Sequence, residues 1–112
     1  MRDAVLTDPA LGRFKSELEK LYGTRLKQVL LYGSRAREDH QRDSDYDVLV
    51  VLEPPLDYWP EQKRLSQLSS ELSWESAGTA TPVVASFRPI TPDELQARTG
   101  FMHNVRNEAI EL

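Results

Sequence analysis

The chain has 112 residues, 39% hydrophobic and 29% charged, with a net charge of −4 and no cysteine. That length allows a single domain, residues 1–112, with one modest core, and the balance is too apolar for disorder. Disulfides and thiolate metal sites are excluded, and an acidic chain does not suit a general nucleic-acid coat, which needs a lysine- and arginine-rich face.

No apolar run approaches the roughly 20 residues that cross a bilayer. The opening stretch MRDAVLTDPA has none of the apolar centre of a signal peptide. A cytoplasmic protein without membrane contact is therefore expected. His40 and His103 are isolated from each other in sequence and make a poor zinc site.

Asp8-Pro9 reads as an N-cap followed by a first-turn proline. Leu11, Phe14, Leu18, Leu21 and Tyr22 then recur at helical spacing until Gly23 stops the pattern. Val29 to Tyr32 is a short apolar run ending at Gly33, as expected of a strand covered on both faces. Residues 34–39 can form a short helix, and Val48 to Leu52 is a second strand, closed by Glu53-Pro54-Pro55. Pro60 opens a helix with Leu65, Leu68 and Leu72 on its core face, ending near Ala77-Gly78. Trp59 and Trp74 flank that helix and are read as core edges, although Tyr58-Trp59 beside three prolines also suggests an aromatic patch for a partner. Pro82 to Phe87 is the third strand. Thr91-Pro92-Asp93-Glu94 is a capping box, and after Gly100 a last amphipathic helix carries Phe101, Met102, Val105, Ala109 and Ile110. On it His103 and Arg106 read as solvated. The order α-β-α-β-α-β-α-α makes an α/β domain with a small three- or four-stranded mixed sheet and helices packed on it.

The chemistry concentrates between Gly33 and Asp47. Alternation puts Asp45 and Asp47 on one strand face, with carboxylates about 5–7 Å apart. Two anions so close raise each other's pKa unless a cation sits between them. Mg²⁺ suits such a pair, taking its remaining ligands from water and substrate phosphates. The Gly33-Ser34 turn lets backbone approach a ligand, and free N–H groups at a following helix start attract an anion. Arg35 and Arg37 add guanidinium groups matched to phosphate geometry. A phosphate seat and a metal seat on adjacent strands are the parts of a phosphoryl- or nucleotidyl-transfer site. Singly, each piece is more often a turn or a solvated strand end. The charged connection (Glu38, Asp39, Arg42, Asp43) is most simply a solvated loop.

Leu31-Tyr32-Gly33-Ser34-Arg35-Ala36-Arg37, with ten residues between Ser34 and Asp45, then Ser44-Asp45-Tyr46-Asp47-Val48 resembles the signature of the DNA polymerase beta nucleotidyltransferase superfamily, and specifically its minimal nucleotidyltransferase (MNT) branch. The resemblance implies that fold, with Gly33, Ser34, Arg37 and Ser44 as nucleotide contacts and Asp45 and Asp47 as catalytic Mg²⁺ ligands. It implies ATP as substrate. Many MNT proteins are antitoxins paired with a HEPN ribonuclease toxin, and some silence it by transferring AMP to a toxin tyrosine. The superfamily usually adds a third carboxylate on a neighbouring strand. Here the strand at 82–87 has no acid, and Glu75 and Asp93 lie only beside it. Two functional readings stay open: AMP transfer to a partner, and neutralisation of that partner by binding alone.

Overall fold

The computed structural model describes residues 8–33, 36, 45–79 and 82–112. Helix α1 runs from Pro9 to Tyr22, capped by the Asp8 carboxylate accepting from Ala10 N at 2.9 Å, and a 3₁₀ turn at Gly23–Arg25 follows. Strand β1 (Leu26–Tyr32) and strand β2 (Tyr46–Leu52) come next. Helix α2 spans Tyr58–Ser76 and strand β3 Ala85–Ile90. Short helix α3 (Pro92–Leu95), helix α4 (Gly100–Glu108) and the two-residue strand β4 (Ile110–Glu111) complete the chain.

The sheet order is β3-β2-β1-β4, with β1 antiparallel to β2 and β4, and β2 parallel to β3. This is a mixed α/β sheet as expected, with four strands where the sequence allowed three or four. Strand alternation divides the core in two. Val29, Leu31, Tyr46, Val48, Val50 and Leu52 face α1 and α2. Leu30, Leu49 and Val51 face Leu95 of α3 and Met102 and Val105 of α4. Helices α3 and α4 are short, so they cover only part of this second face. It is this face that carries Asp47. Among the described residues no helix is long and apolar enough to cross a membrane.

Three expectations are corrected. The third strand lies at 85–90 rather than 82–87. Pro89 suggests a break there, but β3 is an edge strand. The carbonyls of Ala85 and Phe87 point away from β2, where the Ser69 hydroxyl and Gln62 Nε2 donate to them. By alternation the nitrogen of Pro89 points the same way, so its missing N–H costs no ladder bond. The last helix stops at Glu108. Ile110 instead pairs with Leu31 as part of β4, which buries it on the α1–α2 side. Trp59 and Trp74 are 76% and 81% exposed, so neither is a core edge. Leu65, Leu68 and Leu72 are buried as predicted. Arg106 is exposed as expected, and donates to the carbonyls of Leu95 and Ala97 at 2.8 and 3.0 Å.

Candidate active site

Antiparallel pairing brings the two halves of the motif together. Tyr32, the last residue of β1, lies opposite Asp47 in β2. The chain therefore leaves β1 through Gly33 at the point where β2 presents its second aspartate. Gly33 has φ +75°, a conformation that favours glycine. A Cβ added there would lie 2.6 Å from Asp47 Oδ2. The glycine is thus required twice, for its backbone and for the carboxylate packed against it. Ala36 is helical and donates its N–H to the Gly33 carbonyl at 3.1 Å, so the chain turns at once after β1. Ser34, Arg35, Arg37 and Ser44, with Glu38, Asp39, Arg42 and Asp43, lie outside the described residues, as does the predicted 34–39 helix apart from Ala36.

Asp45 is exposed just before β2, and Asp47 is half-buried within it. Burial pushes the Asp47 carboxyl above the usual carboxylate range, and the neighbouring Asp45 charge pushes it the same way. Neither carboxylate is hydrogen-bonded or ion-paired with any described residue. Burial also raises the Tyr32 hydroxyl, and Asp47 adds to the effect. Tyr46, between the two aspartates, does the opposite job. It turns into the α1–α2 core, makes an edge-to-face contact with Phe14 at 5.2 Å, and donates its hydroxyl to the Asp8 carboxylate. The cap of α1 thereby anchors the strand that displays the acids on its other face.

Oxygen donors only, two carboxylates that repel each other, and no protein cation beside them among the described residues: this donor set fits a hard divalent cation such as Mg²⁺. No third metal-binding side chain joins the pair among the described residues. Glu75 is held by Arg13 across α1 and α2, with both oxygens within 3.0 Å of one guanidinium nitrogen, on the far side of the sheet. Asp93 follows Ile90, at the opposite end of β3 from the residue beside Asp47. That residue is Ser86. The next residue on the same face is Arg88, opposite Leu49, and the side chains of Ser86 and Arg88 are exposed. Arg88 lies over the ring of Phe101 at 5.3 Å, and Phe101 in turn meets Tyr32 edge-on at 5.5 Å. Sequence reading passed over Arg88 because the strand was placed three residues early. The signal was present in Ala85-Ser86-Phe87-Arg88, a strict apolar–polar alternation.

The family model described as "Nucleotidyltransferase domain" matches residues 11–97. Two relatives in Methanocaldococcus jannaschii each bear the name "Putative protein adenylyltransferase". One is 37% identical over 51 residues, 46% of this chain and 51% of the relative. The chain thus spans about half the length of that relative. The other is 25% identical over 104 residues, covering 91% of this chain and 94% of the relative. A solved structure described as a toxin-antitoxin with AMP-PNP aligns with a TM-score of 0.49 at 16% identity, over 85% of this chain and 66% of that one.

Proposed function

Because the chain belongs to the nucleotidyltransferase domain family, we propose that it transfers AMP from ATP to a hydroxyl of a partner protein, with a tyrosine of a HEPN-type toxin as the acceptor and Mg²⁺ as the required ion. The observation that carries this reading is the carboxylate pair Asp45 and Asp47, without a cationic partner among the described residues and with Asp47 packed against the positive-φ Gly33 at a strand end. The names of the two archaeal relatives support adenylyl transfer to protein as the reaction class.

Asp45 and Asp47 would hold Mg²⁺. When bound, the ion neutralises phosphate charge and aligns the α-phosphate. The chain itself does the rest. Gly33 keeps a side chain out of the space beside Asp47 and lets the turn backbone approach the phosphates. Ser34, Arg37 and Ser44 are proposed as further nucleotide contacts on the strength of the family pattern. Tyr46 fixes the strand through Phe14 and Asp8, so that both acids stay on the open face. Tyr32, half-buried with its hydroxyl raised, stays protonated near neutral pH, so it is a wall of the site and not its base. With Ser86 beside Asp47, no described carboxylate stands where a third acid would take the acceptor's proton. General-base help is worth about 10²–10⁴-fold, whereas alignment and electrostatic stabilisation contribute more. A slow transferase is therefore the consistent reading.

That same absence favours the second reading, neutralisation by binding alone. The two separate in one experiment. The intact chain is incubated with its genomic partner, labelled ATP and Mg²⁺, and the partner is examined by mass spectrometry. An AMP adduct that vanishes in Asp45→Asn and Asp47→Asn supports transfer. No adduct over hours, with undiminished neutralisation by the parent and both variants, establishes binding alone.

A further inference from the structure

Arg88 is out of keeping with its surroundings. It stands on the sheet face that carries Asp47, yet no described carboxylate pairs with it, and the contact that fixes its guanidinium is the ring of Phe101, 5.3 Å away. Phe101 is itself fixed. It sits one residue into α4, whose Met102 and Val105 are buried against the sheet, and its ring meets Tyr32, the residue before Gly33. The guanidinium is therefore braced through Phe101 to the turn that opens the site. Parallel pairing gives the span. Asp47 lies beside Ser86 and Leu49 beside Arg88, so the Cα atoms of Asp47 and Arg88 are about 8 Å apart on the diagonal, from two residues of rise and one strand spacing. An arginine side chain and a triphosphate chain together cover that distance.

An exposed, braced guanidinium with no carboxylate partner among the described residues, one diagonal away from Asp47 on the same sheet face, suits an anion, and Arg is the side chain whose fork best matches phosphate oxygens. We propose that Arg88 holds the β- and γ-phosphates of the nucleotide and stabilises the departing pyrophosphate, an assignment that rests on the AMP-transfer reading above. In that step the acceptor hydroxyl oxygen forms a bond to the α-phosphorus. The bond from that phosphorus to the bridging oxygen of the β-phosphate breaks, and its electron pair leaves on pyrophosphate. The hydroxyl proton passes to solvent water. Negative charge thus grows on the leaving group, at the place where Arg88 adds its charge. Exposure of Arg88 and Phe101 means that neither is needed to close the core.

The test is calorimetry on the intact chain with Mg²⁺, titrating ATP, inorganic pyrophosphate and AMP into the parent, Arg88→Ala, Arg88→Lys and Phe101→Leu. Arg88→Ala is expected to weaken ATP and pyrophosphate roughly ten- to a hundredfold and to leave AMP unchanged. Arg88→Lys should recover part of the loss, because charge returns without the fork. Phe101→Leu should weaken ATP less than Arg88→Ala, through loss of the brace. Equal ATP binding by parent and Arg88→Ala overturns the assignment, and so does a loss that is the same for AMP and ATP. A parent that binds no ATP at all overturns the AMP-transfer reading, and Arg88's role falls with it. Circular dichroism confirms the fold of each variant, and Arg88→Gln replaces Arg88→Ala if the latter does not fold.

Discussion

Carboxylates occur at both ends of the β1–β2 pair, and the molecule treats them in opposite ways. At the end where β1 begins, Glu61 of α2 is 7% exposed and flanked by two guanidinium groups, Arg25 at 3.5 Å and Arg64 at 3.7 Å. Arg25 also donates to the Pro55 carbonyl and lies over the Tyr22 ring. At the end where β1 finishes, Asp47 is half-buried, and the group that most affects its charge is another carboxylate. Burying a charge is costly unless it is paired. Among the described residues the Glu61 end meets that rule through its Oε1, and the Asp47 end does not. A half-buried charge with no cationic partner among the described residues marks a candidate functional position.

Exchanging the two treatments produces the largest effects. Asp47→Asn should reduce AMP transfer by about 10³-fold or more, as expected when alignment and electrostatic stabilisation are lost, with no loss of thermal stability. Glu61→Gln should do the reverse. It should leave transfer unchanged and cost about 1 kcal/mol in denaturant unfolding, the worth of one charged hydrogen bond and one ion pair discounted for the partial exposure of both arginines. Transfer that falls equally in both variants would mean the two ends are not functionally distinct.

Next in size is a gain. Ser86 is the residue in register with Asp47 on β3. Ser86→Asp adds a third acid on the same face, and in the presence of Mg²⁺ it should raise the single-turnover rate by up to about 10²-fold, the lower range of general-base assistance. Without the ion the same variant should melt earlier than the parent, because three like charges then stand together. A rate equal to or below the parent's would show that proton removal does not limit the reaction.

The contrast also explains what could be read from the sequence. The order of the helices and of the first three strands and the core faces of α1 and α2 follow from periodicity, because burial of Leu11, Phe14, Leu18, Leu65, Leu68 and Leu72 is decided locally by helix geometry. The Gly33 and Asp45–Asp47 pieces were legible because chemistry restricts which residues can stand there. Long-range context was not legible. Pro89 is tolerated because β3 is an edge, and Ile110 is buried because it pairs with Leu31. Glu61 sits among arginines that lie 36 residues before it and 3 after it. Trp59 and Trp74 are exposed because the core face of α2 is already filled by Leu65, Leu68 and Leu72. Arg88 acquires meaning only from the strand beside it.

Two glycines sharpen the comparison further. Gly23 ends α1 at the Glu61 end with φ +56°, and a Cβ there would meet nothing within 4 Å. Gly33 has φ +75°, and its Cβ would press on Asp47 Oδ2. Alanine at either position pays the strain of a positive φ, about 1–3 kcal/mol, read as a similar fall in unfolding free energy. Only Gly33→Ala should also weaken ATP binding and transfer, since the Asp47 carboxylate can escape the added methyl only by rotating away. If both variants keep full ATP affinity, the packing of Gly33 on Asp47 has no functional weight.

The smallest effect is the stability difference between the parent and Asp47→Asn as pH changes, and its sign follows from linkage. Burial and Asp45 raise the folded-state pKa of Asp47 above its unfolded value of about 3.9. Between those two values the folded state binds more protons than the unfolded one, so stability falls as pH rises through the window. Below the unfolded pKa the carboxyl is protonated in both states and carries no charge penalty. Above the folded pKa the penalty is complete. Asp47→Asn removes it, so in metal-free buffer the variant should melt above the parent at pH 7 and together with it below pH of about 3.9. Added salt should narrow the gap, because Asp45 is exposed and its charge is screened. Added Mg²⁺ should reverse the order, because the ion binds the folded parent through Asp45 and Asp47 and stabilises it by mass action, while the variant has lost a ligand. Glu61→Gln should show no response to Mg²⁺ beyond the parent's own. A parent whose melting temperature does not rise with Mg²⁺ would mean that the two aspartates do not draw a partner from among divalent cations.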